Sequence, residues 1–472
     1  MTQTASGSAL SGWMRSPGRL HEAQLVEPED LVAQEIVASR DEGRDVAAVA
    51  EAWTAVGGVL EVPRNGASAQ RASDESRAVA VRLLDELDAL PMPADPRRPE
   101  GFDQIIAAAP DVPRLAAVSG DIEDRIHGAW LGRAAGCLLG KPVEKIPPEG
   151  IRELLTSAGR WPLDFYFTAE GVAPDSLARW PWNRRSAPTS LVENIDGMPE
   201  DDDLNYPLLN LALVERIGRR FTVEDVAEAW LAELPAGRVF TAERAAYRNL
   251  LEGIDPEGCA RVRNPFREWI GALIRGDVFG WISPGDPREA ARMAFEDARL
   301  SHTGNGLYGE LWAAGLAAAA VVGDDVETVL DAASAVVPAS SGLADAVAFG
   351  RRLGHSGGTL DDDLAALAER YAGVHWVHVV NNAATIAWAL TRGGGRLERA
   401  CALAVMAGWD TDSVGATVGG VCGAIAGARA LPASWTAPLH DRIATSLPGL
   451  DGVAISEVAR RTTALAVGKE EQ

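Results

Sequence analysis

Arg125-Ile126-His127-Gly128-Ala129-Trp130-Leu131-Gly132 begins a stretch in which glycine returns every fourth residue, at Gly128, Gly132, Gly136 and Gly140. The same spacing recurs at Gly415, Gly419, Gly423 and Gly427. A period of four places each set on one face of a helix. Glycine inside a helix costs about 1 kcal/mol relative to alanine. Such a row is tolerable where two helix backbones must approach closely, so both stretches are expected to be central helices whose ends lie near the middle of the domain. From about residue 120 onward alanine is abundant, alternating β-branched runs are scarce and Gly/Pro punctuation recurs. There is no βαβ alternation and no repeat of fixed period, so the expected fold class is all-α.

Composition bounds the function. Of 472 residues 47% are hydrophobic and 24% charged, which excludes wholesale disorder. Lys and Arg total 44 against 67 Asp and Glu, a net charge of −23 that disfavours nucleic acid and anionic membrane partners. Cys137, Cys259, Cys401 and Cys422 are widely spaced, with no CxxC pair, which suits a reducing compartment. No signal peptide is read at Met1-Thr2-Gln3-Thr4-Ala5, and the longest apolar run, Ala313 to Gly323, is too short to span a bilayer, so the expected location is cytoplasmic. Residues 1–115 are expected to form a helical N-terminal accessory region. Its opening dozen residues, rich in Ser, Gly and Thr, are expected to fray. One helix is predicted after Asp30 as N-cap, with Leu31, Val32, Ile36 and Val37 on a face. A second carries Val79, Leu83, Leu84, Leu87 and Leu90 and ends at Pro91, where a stiff connector runs to Pro99.

Polar residues gather at the helix ends. Gly408-Trp409-Asp410-Thr411-Asp412-Ser413 leads into the second glycine helix, and Glu200-Asp201-Asp202-Asp203 precedes an apolar stretch from Leu204 to Val214. Because proline is tolerated in a first turn, Pro207 predicts a helix start at Asp203 or Leu204, with the acidic run in the preceding loop and N-cap. One carboxylate per terminus would satisfy the helix dipole. Four in succession repel one another unless they are solvated or hold cations. Oxygen donors without His or Cys suit Mg²⁺, Mn²⁺ or Ca²⁺ rather than zinc. On the residues alone, a cation site and two charged helix termini stay open as alternatives.

Three segments, in order, resemble the ADP-ribosylglycohydrolase family. The first runs from Arg125 through Gly136-Cys137-Leu138-Leu139-Gly140-Lys141-Pro142-Val143-Glu144. The second is Asp201-Asp202-Asp203-Leu204, where the family usually has Thr-Asp-Asp-Thr, and the third is Gly408 to Ser413, where it usually has Gly-Gly-Asp-Thr-Asp-Thr. Ser301-His302-Thr303-Gly304-Asn305-Gly306 is similar to a family loop that leads into a helix. The resemblance implies a compact multi-helix catalytic domain over residues 116–472 with a dinuclear Mg²⁺ site in a cleft, Mn²⁺ or Ca²⁺ accepting the same ligands. By motif position it implies Asp202 and Asp203 as paired ligands, Asp201 in place of a threonine ligand, Asp410 and Asp412 as late ligands, and Ser413 in place of a threonine. Glu144 falls where some members carry a glutamate acting near the scissile bond, with a surface acid after Pro142 as the alternative. Asp202 is the other residue assigned to catalysis.

The implied reaction is hydrolysis at ribose C1 of an ADP-ribosylated substrate through an oxocarbenium-like transition state. Metal ions would orient the vicinal hydroxyls and activate water, and a carboxylate would serve as acid or base. Departures accompany it. Leu204 loses a hydroxyl, Cys137 stands where many members have aspartate, and Trp409 replaces a glycine, either narrowing the cleft against a substrate base or filling the core. Gly304, Asn305 and Gly306 are candidates for phosphate binding at a helix predicted over Leu307 to Val322, and His302 for ribose or phosphate, with an ordinary helix entry and a structural histidine as the other readings. Asn381 and Asn382 either line the pocket or make core hydrogen bonds. Arg263, Arg267 and Arg275 are expected in solvated surface salt bridges. Two rivals stay open: the same scaffold hydrolysing a nucleoside or other small riboside, and a non-catalytic binding or structural descendant.

Overall fold

The regular elements are all helices among the residues described by this computed structural model, which are 27–61, 72–112, 115 and 121–468. Extended backbone pairs there only in isolated bridges such as Met198 with Ile443 and Trp269 with His378. The all-α expectation holds. The Ser/Gly/Thr-rich opening and the start of the chain lie outside the described residues. The chain divides into two units, Met1–Pro93 and Ala94–Gln472, the boundary falling within the proline-rich connector.

In the first unit α1 spans Pro28–Asp41, α2 Ala47–Ala55 and α3 Asp74–Asp88. Leu31, Val32 and Ile36 of α1 and Leu83, Leu84 and Leu87 of α3 are buried. α1 starts earlier than expected: Glu27 is its N-cap and Pro28 its first residue, because proline's fixed φ and missing N–H suit that position. Asp30 therefore lies within the first turn, and Val37 stays exposed. Ser73 caps α3, its Oγ accepting the Ser76 N–H at 3.1 Å.

Five helices of the second unit carry or adjoin the candidate residues: α4 (Ile122–Gly140), α5 (Asp202–Ile217), α6 (Gly304–Ala320), α7 (Val379–Gly393) and α8 (Thr411–Ala426). α4 and α8 run antiparallel and touch backbone to backbone through the glycine rows. A Cβ on Gly136 would lie 1.9 Å from the Gly415 carbonyl oxygen, and one on Gly419 would lie 2.0 Å from that of Gly132. No side chain fits there, which is why the glycines are needed. Gly427 does not continue the row; it ends α8 with φ 77°. The contact carries the C-terminus of α4 to the N-terminus of α8, where Thr411 Oγ1 donates to the Gly140 carbonyl at 2.8 Å.

α5 begins at Asp202, slightly earlier than Pro207 suggested, and the proline sits inside it. Pro207 has no N–H for the carbonyl four residues back, that of Asp203. Arg133 Nε, from α4, donates to that oxygen instead at 2.8 Å. All four cysteines are buried and free. No described helix is long and apolar enough to cross a membrane.

Candidate metal centre

Three helix ends converge. Asp201 caps α5, its Oδ1 accepting the Asp203 N–H at 3.0 Å, so Asp202 and Asp203 fall in the first turn. Asp410 is the N-cap residue of α8, which puts Asp412 and Ser413 in its first turn. Lys141 follows the last residue of α4, and a short 3₁₀ turn over Lys141–Val143 delivers Glu144. Ser413 Oγ lies 3.1 Å from Asp410 Oδ1 and 3.2 Å from Asp203 Oδ2, joining the two acidic segments. Carboxylate oxygens of Glu144, Asp410 and Asp412 lie within 4.8 Å of one another, as do those of Asp201 and Asp203 with the Cys137 sulfur.

Gathering so many acids is electrostatically expensive. Burial, then the charge of Asp201, pushes the Asp202 and Asp203 carboxyls well above the usual range, and burial with Asp412 does the same to Asp410. Asp412 is raised to about 7 by burial and by the charges of Glu144 and Asp201. Asp201 goes the other way. Burial opposes its charge, but the Lys141 ammonium beside it holds the carboxyl below its ordinary value. Arg133 is fully buried beneath the cluster, with Nη1 2.9 Å from Asp277 Oδ2, Nη2 2.6 Å from the Ile274 carbonyl and 3.4 Å from Asp203 Oδ1.

The residues fit a hard divalent cation. Asp412 Oδ1 is buried with no hydrogen-bond partner, so an acceptor is left over where acceptors already crowd. Burial and the neighbouring aspartates raise the Cys137 thiol well above its ordinary value, which keeps it neutral and leaves an oxygen donor set.

Residues 119–470 match the sequence profile described as ADP-ribosylglycohydrolase. The chain belongs to the ADP-ribosylglycohydrolase family. An uncharacterized protein of Archaeoglobus fulgidus is 26% identical over 329 residues, covering 68% of this chain and 93% of its own. A solved structure described as an ADP-ribosylglycohydrolase-related protein complex aligns with 98% of its chain over 73% of this one, at 22% identity and a TM-score of 0.43. The family is one of glycosyl hydrolases, and it is typically metal-dependent.

Around the centre of this ADP-ribosylglycohydrolase relative, Glu144 accepts from Asn183 Nδ2 at 2.5 Å, and its Oε1 lies 3.0 Å from Lys145 Nζ. Lys145 and Trp409 both adopt left-handed backbone, φ 75° and 69°, and the Lys145 N–H reaches the Trp409 carbonyl at 3.4 Å. Side chains other than glycine seldom hold that conformation, and such strain gathers at functional sites. The Trp409 ring stands edge-on to Tyr371, with centroids 6.2 Å apart. Lys145 Nζ also lies 5.7 Å from the centre of the Trp376 ring.

The remaining candidates are engaged elsewhere. Gly304, Asn305 and Gly306 form the first turn of α6 rather than a loop before it. Glu268 takes the place offered to a phosphate: its Oε2 accepts from Asn305 Nδ2 at 2.7 Å and from the Asn305 N–H at 3.3 Å, and Arg98 pairs with it. His302 is fully buried, with Nδ1 2.8 Å from Ser301 Oγ and Nε2 3.9 Å from Glu243 Oε1; burial, then Arg275, drives its pKa well down, so the ring is neutral. Asn381 and Asn382, on α7, donate to the Trp376 carbonyl at 3.1 and 3.0 Å, holding that loop.

Arg267 and Arg275 are not on the surface. Arg275 is fully buried, 2.6 Å from Asp297 Oδ2, 2.9 Å from Glu243 Oε1 and 3.4 Å from Glu310 Oε2. Arg267 is buried and donates to the Asn264 carbonyl at 2.8 Å. Sequence reasoning also passed over Arg133, Lys141 and Asn183. The signal for the first two was present: each is a lone cation in the stretch from Gly128 to Val143, which is otherwise built of small and apolar residues.

Proposed function

We propose that this protein is a metal-dependent hydrolase cleaving the bond at ribose C1 of an ADP-ribosylated substrate. The observation that carries the reading is the convergence of Glu144, Asp201 to Asp203 and Asp410 to Ser413 at three helix ends, with a buried, unpartnered carboxylate oxygen on Asp412. Asp202, Asp203, Asp410, Asp412 and Ser413, with Asp201 beside them, would hold two Mg²⁺ ions, and Mn²⁺ or Ca²⁺ suit the same oxygens. Bound there, the ions supply charge that orients the ribose hydroxyls and favours ionisation of a water. Glu144 is the acid/base group: Asn183 holds one of its oxygens and Lys145 pairs with the other, so the carboxyl is positioned to take a proton from water or return one to the leaving group. Asp202 lies half-buried in the first turn of α5, beside the carboxylates of Asp201, Asp412 and Glu144. Residues 116–472 carry every one of these groups, and residues 1–115 form an accessory region.

The reading is tested by following release of ADP-ribose or ribose from ADP-ribosyl-arginine, ADP-ribosyl-serine, ADP-ribose derivatives and plain nucleosides, with Mg²⁺ and with EDTA. Chelator-sensitive cleavage of an ADP-ribosyl bond that disappears in Asp202→Ala is the expected result, and absence of metal binding by calorimetry would overturn it. Trp409, the residue immediately before Asp410, favours one second reading, hydrolysis of a smaller riboside. Turnover of plain ribosides alone would select it.

A further inference from the structure

Lys141 is the member of the centre that the proposed chemistry leaves unused. Its side chain is 6% exposed, its Nζ forms an ion pair with Asp201 Oδ2, and it donates to the Glu200 carbonyl at 3.1 Å. The other oxygen of Asp201 is taken by the Asp203 N–H at 3.0 Å. Both Asp201 oxygens therefore have partners inside the protein, whereas Asp412 Oδ1, equally enclosed, has none. The backbone that carries Lys141 is packed against α8: a Cβ on the preceding Gly140 would lie 2.1 Å from the Thr411 carbonyl oxygen. A buried ammonium and a buried carboxylate are each costly alone and tolerable as a hydrogen-bonded pair.

We infer that Lys141 is a built-in cation that discharges Asp201, so that this corner of the centre is assembled before any divalent ion arrives and Asp201 is withheld from the ion's ligands. The ligand set then narrows to Asp202, Asp203, Asp410, Asp412 and Ser413. The inference rests on the metal-centre reading above, but it has a consequence that needs no metal. Removing the ammonium leaves an uncompensated buried carboxylate, and neutralising that carboxylate as well should repair the damage.

The test compares thermal melts of the full chain in EDTA and in saturating MgCl₂, and calorimetric titration with MgCl₂, for wild type, Lys141→Met, Asp201→Asn and the double variant. Asparagine keeps the oxygen that caps α5. Lys141→Met is expected to melt about 5–10 °C below wild type in EDTA and to recover in MgCl₂, where an ion moves in to face Asp201. The double variant should recover in EDTA alone, which keeps the test decisive even if the single variant fails to fold. Asp201→Asn strands the Lys141 ammonium and should bind Mg²⁺ more weakly, whereas the double variant, free of both charges, should bind it within about three-fold of wild type. Equal losses for Lys141→Met in EDTA and MgCl₂, a double variant no better than the single one, or loss of Mg²⁺ binding in the double variant would each overturn the inference. Wild type that binds no ion would remove the metal-centre reading, and rescue by the double variant in EDTA would still support the pairing.

Discussion

Alanine at Gly419 and at Gly420 is the same chemical change at adjacent positions of α8, and the structure gives the two opposite signs. At Gly419 the new Cβ would lie 2.0 Å from the Gly132 carbonyl oxygen and 2.8 Å from its carbon. Carbon and carbonyl oxygen rest no closer than about 3.3 Å, so α4 and α8 must part by about 1.3 Å. Even a gap of about 0.5–1 Å forfeits roughly a quarter to a half of a dispersion contact, so this one loses at least as much along the interface. Overpacking typically costs about 1–3 kcal/mol, and here no flexible side chain can give way. Against it stands the helix-propensity gain of about 1 kcal/mol for alanine over glycine. With nothing flexible to yield, the cost falls at the upper end of that range, and the net loss for Gly419→Ala should be about 2 kcal/mol. At Gly420 the nearest atoms are Asp277 Oδ1 at 3.4 Å and Arg133 Cβ at 3.7 Å, which is ordinary contact. Gly420→Ala should therefore be neutral or stabilising by up to about 1 kcal/mol. Urea unfolding followed by tryptophan fluorescence and circular dichroism measures both. Gly419→Ala should also weaken divalent-ion binding, because the two helices end at the centre. Equal stabilities for the two variants would refute the backbone-contact account of the glycine rows.

Arg133→Met removes the buried guanidinium beneath Asp203 and Asp277 and should cost about 3–5 kcal/mol in urea unfolding, with part regained in Arg133→Met/Asp277→Asn; no partial rescue would mean that packing, not charge, carries the loss. Trp409→Gly relieves a left-handed residue, about 1–2 kcal/mol, and gives up the ring contact with Tyr371, about 0.5–1.5 kcal/mol, so stability should barely move. Its ratio of activity on bulky ADP-ribosylated protein to that on plain riboside should rise, and an unchanged ratio would take Trp409 off the substrate boundary. His375 stacks on Trp269 at 4.2 Å, and burial, then His378, lowers its pKa from 6.5 to about 4. The fold thus holds the neutral ring, and its contribution is complete above the unfolded value and lost as pH falls toward 4. The advantage of wild type over His375→Phe should shrink by about 1.4 kcal/mol between about pH 7.5 and about pH 5.5. A pH-independent difference, measured by urea unfolding, would show that the folded ring protonates freely.

The glycine spacing was enough to foresee that α4 and α8 are central and closely approached, because little besides close backbone approach makes a row of helix-interior glycines tolerable; that each is the other's partner came only from the structure. The oxygen-rich stretches before α5 and α8 were legible for a similar reason: repelling carboxylates need an explanation. Long-range pairing was not legible. Arg275 meets Glu243, Asp297 and Glu310 from 32, 22 and 35 positions away, and nothing local separates it from an arginine in solvent. Pro207 shows the same boundary. The local rule correctly removed an N–H from α5, but the donor that replaces it, Arg133, comes from 70 positions upstream of the orphaned carbonyl. Gly304 to Gly306 stood as a candidate anion site beside an ordinary helix entry, because the competitor, Glu268, is distant in sequence.

The charges of the centre can be balanced from these contacts. Glu144, Asp201, Asp202, Asp203, Asp277, Asp410 and Asp412 face Lys141, Lys145 and Arg133. Fully ionised, the seven acids exceed the three cations by four charges. The N-termini of α5 and α8 each offer about half a positive charge to the acids in their first turns, which softens the excess without removing it. Without a cation, the carboxyls must relieve the rest by taking up protons, which is the upward drift of Asp202, Asp203, Asp410 and Asp412. Two divalent ions would cancel four charges and let the same groups ionise. The rigid crossing makes this bistable: with glycine backbones in contact, α4 and α8 cannot splay to dilute the charge, so the centre has to hold protons or metal.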